Sequence, residues 1–321
     1  MSSSRQSADD ALAPWASFSR LSAHRQGTLA VLFAALLWSS GGLFIKWVSM
    51  DALGITMWRS AFALVTAVVV MRPGWIAPHK AGRTTWLIAL SYAATLLLFV
   101  SATRLTTAAS AIFLQYTAPL YLLGAGAMLA RERGTRLDAA TVGVAFVGMA
   151  LFFVGKLDGD AVVGNLLGLA SGIALAAMFL FLRSPDCGPK TRAQALLLGN
   201  AILVITLAAV NAGRGEAALF TPSAGDLAAL AFLGVVQIGL AYAVFSFGIA
   251  RVGALEASLI GMLEPVLNPV WVLLVLEERP GWWAVVGGTV IVGAVAVRTW
   301  LIERRNPPTP SRSPESAEHA G

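Results

Sequence analysis

Apolar runs of about twenty residues recur along the whole chain, and they constrain its fold more than any other feature. Twenty residues of helix rise about 30 Å, the thickness of a bilayer's hydrocarbon core. In that medium every backbone N–H and C=O must pair within the chain, so each run is expected to be helical. Ten runs are read, at 27–49, 53–71, 85–103, 107–129, 137–155, 162–182, 193–212, 227–249, 254–276 and 282–302. Most connections are short, which makes consecutive helices antiparallel neighbours. Composition agrees. Of 321 residues 57% are hydrophobic and 12% charged, about half the charge of an ordinary soluble domain. The fold class expected is an all-α membrane protein of ten transmembrane helices.

The net charge of +6 first suggests a nucleic-acid partner, but the distribution of basic residues gives another account. With the N-terminus inside, the inner segments hold Arg5, Arg20, Arg25, Arg72, Lys80, Arg83, Arg131, Arg133, Arg136, Arg183, Lys190, Arg192, Arg251, Arg298, Arg304, Arg305 and Arg312, seventeen in all. The outer side holds Lys46, Arg104, Lys156, Arg214 and Arg279, five, and Arg59 lies within a run. Inner loops of membrane proteins carry such an excess, so both termini are expected in the cytoplasm and no nucleic acid is implied. Trp47, Trp75, Trp86, Trp282, Trp283 and Trp300 fall near run ends, where an interfacial aromatic belt belongs.

Chemistry is sparse. The single cysteine, Cys187, excludes an internal disulfide, and His24, His79 and His319 fall in tails or loops. No HExxH, GxGD or phosphate-loop pattern occurs, so no catalytic group, metal or cofactor is expected, and the chain is not read as an enzyme. The first apolar run is too long for a signal-peptide core and is read as a retained helix. Residues 1–26 form a polar cytoplasmic tail, and 303–321, rich in Ser, Pro and Ala, a disordered one.

The sequence also resembles itself. SAIFLQYTAPLYLLGAGAMLARERG, from Ser110 to Gly134, parallels ASLIGMLEPVLNPVWVLLVLEERP, from Ala257 to Pro280. A shift of 146 pairs Pro119 with Pro265, Glu132 with Glu278 and Arg133 with Arg279; a shift of 145 pairs Gly143 with Gly288 and Gly148 with Gly293. A shift of 137 pairs Gly27 with Gly164, Phe44 with Phe181 and Lys46 with Arg183. The two copies span 27–155 and 162–302. Because five crossings is an odd number, the second copy enters the membrane from the opposite side. Two inverted five-helix repeats around one central site are the plan of many secondary transporters.

At this point the chain resembles the EamA-type ten-helix carriers of the drug/metabolite transporter superfamily. The resemblance covers about residues 27–302 and rests on LWSSGGLFIK in the first run, WRSAFAL in the second, the proline-containing fourth run ending in RERG, and LEPV and LEERP in the ninth. It implies a secondary carrier of the cell inner membrane working by alternating access. Such carriers often export amino acids or related metabolites, without a cofactor, as monomer or homodimer, and with a proton as a possible coupled ion. An uptake carrier or polyspecific drug exporter of the same fold is the alternative. Departures exist: Arg131 and Glu277 stand where the family commonly has glycine, and Leu175 stands opposite Trp38 in the repeat.

Polar residues inside the runs are the candidates for a site. Arg59 lies about six residues inside the second run, and burying it costs roughly 3 kcal/mol by insertion scales. Either it anchors a substrate carboxylate through its paired donors, or it snorkels or bonds a helix end. Trp38 and Ser39, with Ser40 beside them, could wall and bond a substrate, or the serines bond their own helix. Tyr92, Gln115, Tyr116, Gln237 and Tyr242 need partners that either a cavity or neighbouring helices supply. Gly164, Gly168 and Gly172 recur every four residues, as close helix packing requires, and Glu132 and Glu278 are read as surface charge.

The ninth run is the most unusual, with Glu264 and Asn268 on one face and each followed by a proline, Pro265 or Pro269. A lipid-facing carboxylate is expensive, so this face is expected to look into the bundle. Glu264 then carries a coupled proton or binds a substrate amine, or it pins helices together structurally. Its repeat counterpart is Ala118, so any such role belongs to one half. Pro119, Pro265 and Pro269 are expected to bend their helices where the central vestibule forms.

Overall fold

A computed structural model describes residues 21–71, 80–129, 134–152, 154, 161–214, 221–276 and 281–305. The tails at 1–20 and 306–321, the loop at 155–160, and Glu132, Arg133, Glu278 and Arg279 lie outside the described residues, as do the side chains of Asn268 and Pro269. The described residues form helices and no strands. In order they are α1 (Ala23–Trp38), α2 (Gly41–Trp47), α3 (Ala52–Met71), α4 (Arg83–Leu105), α5 (Ala108–Gln115), α6 (Ala118–Leu129) and α7 (Arg136–Phe152). There follow α8 (Val162–Leu182), α9 (Pro189–Gly213), α10 (Ala224–Phe232), a π-helical stretch (Leu233–Leu240), α11 (Ala241–Ile249), α12 (Ala254–Gly261), α13 (Leu263–Leu276) and α14 (Trp282–Arg305).

Seven segments among the described residues are long and apolar enough to cross a membrane: 23–47, 52–69, 83–105, 162–182, 189–213, 224–249 and 282–302. The runs expected at 107–129 and 254–276 are each divided into two helices, at Tyr116–Thr117 and at Met262. The run at 137–155 is helical over the 17 residues of α7.

The bends expected at Pro119 and Pro265 fall just before them. Pro119 is the second residue of α6 and Pro265 the third of α13. There a missing N–H costs nothing, because the first turn of a helix has no acceptor for it. Each proline therefore starts a helix and does not kink one. Both are buried.

Side-by-side packing follows a pattern across the two halves. The third run lies along the sixth and the eighth along the first; the third also touches the seventh, and the eighth the second. The fourth packs on the sixth and the ninth on the first, while the fifth pairs with the tenth and the second with the seventh. Adding five to each run number, and counting on from ten to one, exchanges the first six of these pairs two by two and returns the fifth–tenth and second–seventh pairs to themselves.

Glycines make two of these contacts possible. A Cβ on Gly164 would come within 2.8 Å of the Leu105 carbonyl carbon, at the end of α4. A Cβ on Gly27 would come within 3.0 Å of Val252 and 3.1 Å of the Gly248 carbonyl oxygen, at the end of α11. The repeat alignment pairs these two glycines, and each lets its helix close on the end of a run related by the same exchange.

Candidate substrate cavity

Four departures from regular helix converge on one place. α1 ends at Trp38, α5 at Gln115, α12 at Gly261, and Gln237 sits in the π-helical stretch. These residues, with Arg59 from α3 and Glu264 from α13, line one cavity of about 40 Å³. At roughly 10–15 Å³ per water it has room for about three waters.

Irregular backbone at membrane depth survives only where protein or water satisfies it. Around this cavity side chains do so. The Gln237 Nε2 donates to the Trp38 carbonyl at 3.4 Å, and Thr117 Oγ1 to the Leu114 carbonyl at 2.6 Å. Ser39 and Ser40 hydroxyls donate back to the Leu36 and Leu37 carbonyls at 2.6 and 2.9 Å. Gly41 lets the Gln237 amide approach, since a Cβ there would overlap it.

The polar groups of the wall are only partly matched. Tyr116 donates its hydroxyl to Glu264 Oε2 at 2.5 Å, and Gln115 Nε2 donates to Ser171 Oγ at 2.8 Å. Arg59 is 1% exposed, yet its Nε and Nη1 have no hydrogen-bond partner. Trp38 Nε1, Gln237 Oε1 and Ser258 Oγ, from three further lining residues, are also buried and unpartnered. Among the described residues no ion pair joins Arg59 to Glu264. Leaving a buried polar group unmet costs about 1–3 kcal/mol, and more when it is charged. The wall therefore presents three donor groups and one acceptor to whatever enters, beside a carboxyl group already held by a phenol. Trp38 and Tyr242, with ring centroids 4.9 Å apart, supply an aromatic flank, and Phe245 backs Trp38 at 5.0 Å.

Of the residues singled out in the sequence, Trp38, Arg59, Gln115, Tyr116, Gln237, Tyr242 and Glu264 line this cavity. Two stand behind it. Tyr92 exchanges hydrogen bonds with Asn200 at 3.0 and 3.2 Å and meets Tyr242 edge-on at 4.8 Å. Ser39 bonds its own helix and accepts from Trp271 Nε1 at 2.6 Å. Thr95, Phe99, Phe179 and Ser258 also line the cavity and were not anticipated. Ser258 had a signal: a lone hydroxyl six residues before Glu264 in an apolar run. Two pairs of repeat-related positions, Trp38 with Leu175 and Gln115 with Gly261, face the same space with different chemistry.

The placement of every histidine in a tail or loop is corrected for His24, which lies in the first turn of α1. Its Nε2 lies 3.0 Å from Glu256 Oε1, and Glu256 Oε2 lies 3.4 Å from Arg298 Nη1. Arg298 reaches Asp138 Oδ1 through Nε and Nη2, both at 2.8 Å. The network ties the starts of α1, α7 and α12 to the last turns of α14. Along the chain Glu256 precedes Glu264 by eight residues, across the break at Met262.

A membrane-crossing helical chain with broken helices around a buried, polar, partly unmatched cavity has the architecture of a solute carrier. The chain belongs to the EamA-like transporter family, whose profile matches it twice, at residues 25–154 and 162–300. It is a multi-pass membrane transporter of small molecules. A protein of Archaeoglobus fulgidus described as an uncharacterized transporter is 22% identical over 279 residues, which is 85% of this chain and 96% of that one. A solved crystal structure aligns with a TM-score of 0.70 at 19% identity, over 86% of this chain and 98% of its own, and so shares the fold.

Proposed function

We propose that the protein is a secondary carrier exporting small carboxylate-bearing metabolites, such as amino acids, across the cell inner membrane by alternating access. In this reading ten crossings form two inverted five-helix repeats, 27–155 and 162–302, with both termini cytoplasmic. The doubled family match and the exchange of helix contacts between halves support that arrangement. The central cavity is the binding site.

One observation carries the reading: Arg59 is buried with two unpartnered N–H groups on the cavity. A guanidinium offers paired donors to a carboxylate, and Trp38 Nε1 and Ser258 Oγ add two more. Glu264 across the cavity takes either the substrate amine or the coupled proton, and Tyr116 fixes its orientation. A cavity of about 40 Å³ is too small for such a substrate, so binding requires the helices to part. The network of His24, Glu256, Arg298 and Asp138 closes one end and must yield when the site opens that way.

The aromatic flank of Trp38 and Tyr242 favours a second reading, a drug exporter holding cations over these rings beside Glu264. Proteoliposomes loaded with a panel of amino acids and cationic drugs, with and without an imposed pH gradient, separate the two. Carboxylate substrates should move. Glu264→Gln keeps an acceptor for Tyr116 but cannot ionise, and should abolish gradient-driven movement while the protein stays folded. Full gradient-driven transport by that variant would leave Glu264 a structural residue.

A further inference from the structure

A second pocket, of about 370 Å³, lies between the start of α9 and the end of α11, away from the central cavity. Arg192, Arg251 and Ser246 supply its polar wall, and Ala193, Ala243 and Phe247 its apolar one. Pro189, the first residue of α9, stands at its edge, so the positive end of a 25-residue helix faces it. Arg251 donates to the Phe247 carbonyl at 2.8 Å, and its guanidinium carbon sits over the Phe247 ring, 3.4 Å from the centroid. Arg192 donates through Nη2 to the Leu182 carbonyl at 3.3 Å, while its buried Nε has no partner. Ser246 is 5% exposed and its hydroxyl too is unpartnered.

Arg183 lies close by, donating to the Ile249 and Ala250 carbonyls. Among the described residues no carboxylate forms an ion pair with Arg192 or Arg251. The acidic group of this turn, Asp186, is exposed and pairs with neither. Cations gathered without a counter-charge repel one another, and a bound anion removes that cost. The excess of basic residues on this side explains why arginines are here at all. It does not explain their convergence, with a buried hydroxyl, on a hollow between two membrane-crossing helices.

We propose that this pocket binds the phosphate of an anionic phospholipid. The guanidiniums and the Ser246 hydroxyl match phosphate oxygens, and phosphate at a helix start is a favoured pairing. The source is a lipid because the apolar wall of the site opens outward from the bundle: Ala193, Ala243 and Ala250 line it, and Phe247 is 38% exposed. In the orientation proposed above the pocket faces the inner leaflet, where anionic lipids attract basic residues.

The test is the thermal midpoint of the full-length protein in non-ionic detergent at fixed salt. Phosphatidylglycerol, phosphatidylcholine or inorganic phosphate is titrated in. Phosphatidylglycerol should raise the midpoint saturably, and the other two should not. The double variant Arg192→Gln, Arg251→Gln should weaken the apparent affinity at least tenfold. Should it fail to fold, Ala243→Trp, which fills the pocket and spares the arginines, should lose the response in the same way. An unchanged response in either variant overturns the site. An equal response to inorganic phosphate overturns the lipid assignment.

Discussion

Arg59 shows what a single residue can disclose about a carrier. Its guanidinium is buried and two of its N–H groups are unmatched, an arrangement that stability alone does not favour. An ion held inside a protein without a partner costs several kcal/mol in lost hydration, a cost that an apolar side chain of similar length does not carry. Arg59→Met should therefore raise the thermal midpoint of the substrate-free protein while abolishing transport. A lower midpoint would mean that Arg59 holds the fold and not a substrate. Arg59, Gln237 and Glu264 were legible in the sequence because polar groups stand out in apolar runs. Which of their neighbours face the cavity was not, since helices rich in Leu, Ala and Gly have a weakly defined polar side. Ser39 and Trp38 are adjacent, yet the tryptophan lines the cavity and the serine turns away. His24, Glu256, Asp138 and Arg298 were hidden for another reason: charges at run ends look like ordinary interface residues until the fold brings them together.

At the scale of the element, the apolar runs were legible and their interruptions only in part: the prolines pointed to the fourth and ninth runs, and nothing pointed to the first or the eighth. The breaks at Ser39–Ser40, Tyr116–Thr117 and Met262 carry no proline, and the π-helical stretch LGVVQIGL has no residue that marks it. Such irregularity is set by what surrounds the backbone, here carbonyls met by Gln237, Thr117 and neighbouring serines, so local propensity cannot announce it. Close packing was easier to read, through glycines four residues apart on α8. Gly164→Val should cost about 1–3 kcal/mol or more, because its Cβ would press on the backbone of Leu105. Gly27→Val should lose stability in the same direction, whereas Gly143→Ala, with nothing within 4 Å, should be neutral. Thermal unfolding in detergent measures all three. Tolerance of valine at Gly164 but not at Gly27 would break the parallel between the halves.

For the whole molecule, two signals in the sequence bear on arrangement. Seventeen basic residues against five carry the proposed orientation, and a faint repeat keeps its order across five runs. The repeat was readable because order survives when identity fades; its three-dimensional partner is the exchange of helix contacts between halves. A reporter enzyme active only in the cytoplasm, fused after Gly321, should be active, and one inserted in the 156–162 loop should be silent. The opposite outcome would reverse the proposed orientation. The chemistry is not duplicated along with the contacts. Leu175 sits opposite Trp38 and Ala118 opposite Glu264, so the two halves share a frame while one carries the acid.

The narrowness of the central cavity has a consequence for the cell as an electrical system. A membrane that stores energy as a proton gradient must be an insulator, and every carrier embedded in it is a potential short circuit. About three waters, walled by Trp38, Tyr242, Phe99 and Phe179, are too few to form a continuous wire from one face to the other. On the proposed function, the closed carrier then adds no path for protons of its own, and current is drawn only when a cargo makes the helices part.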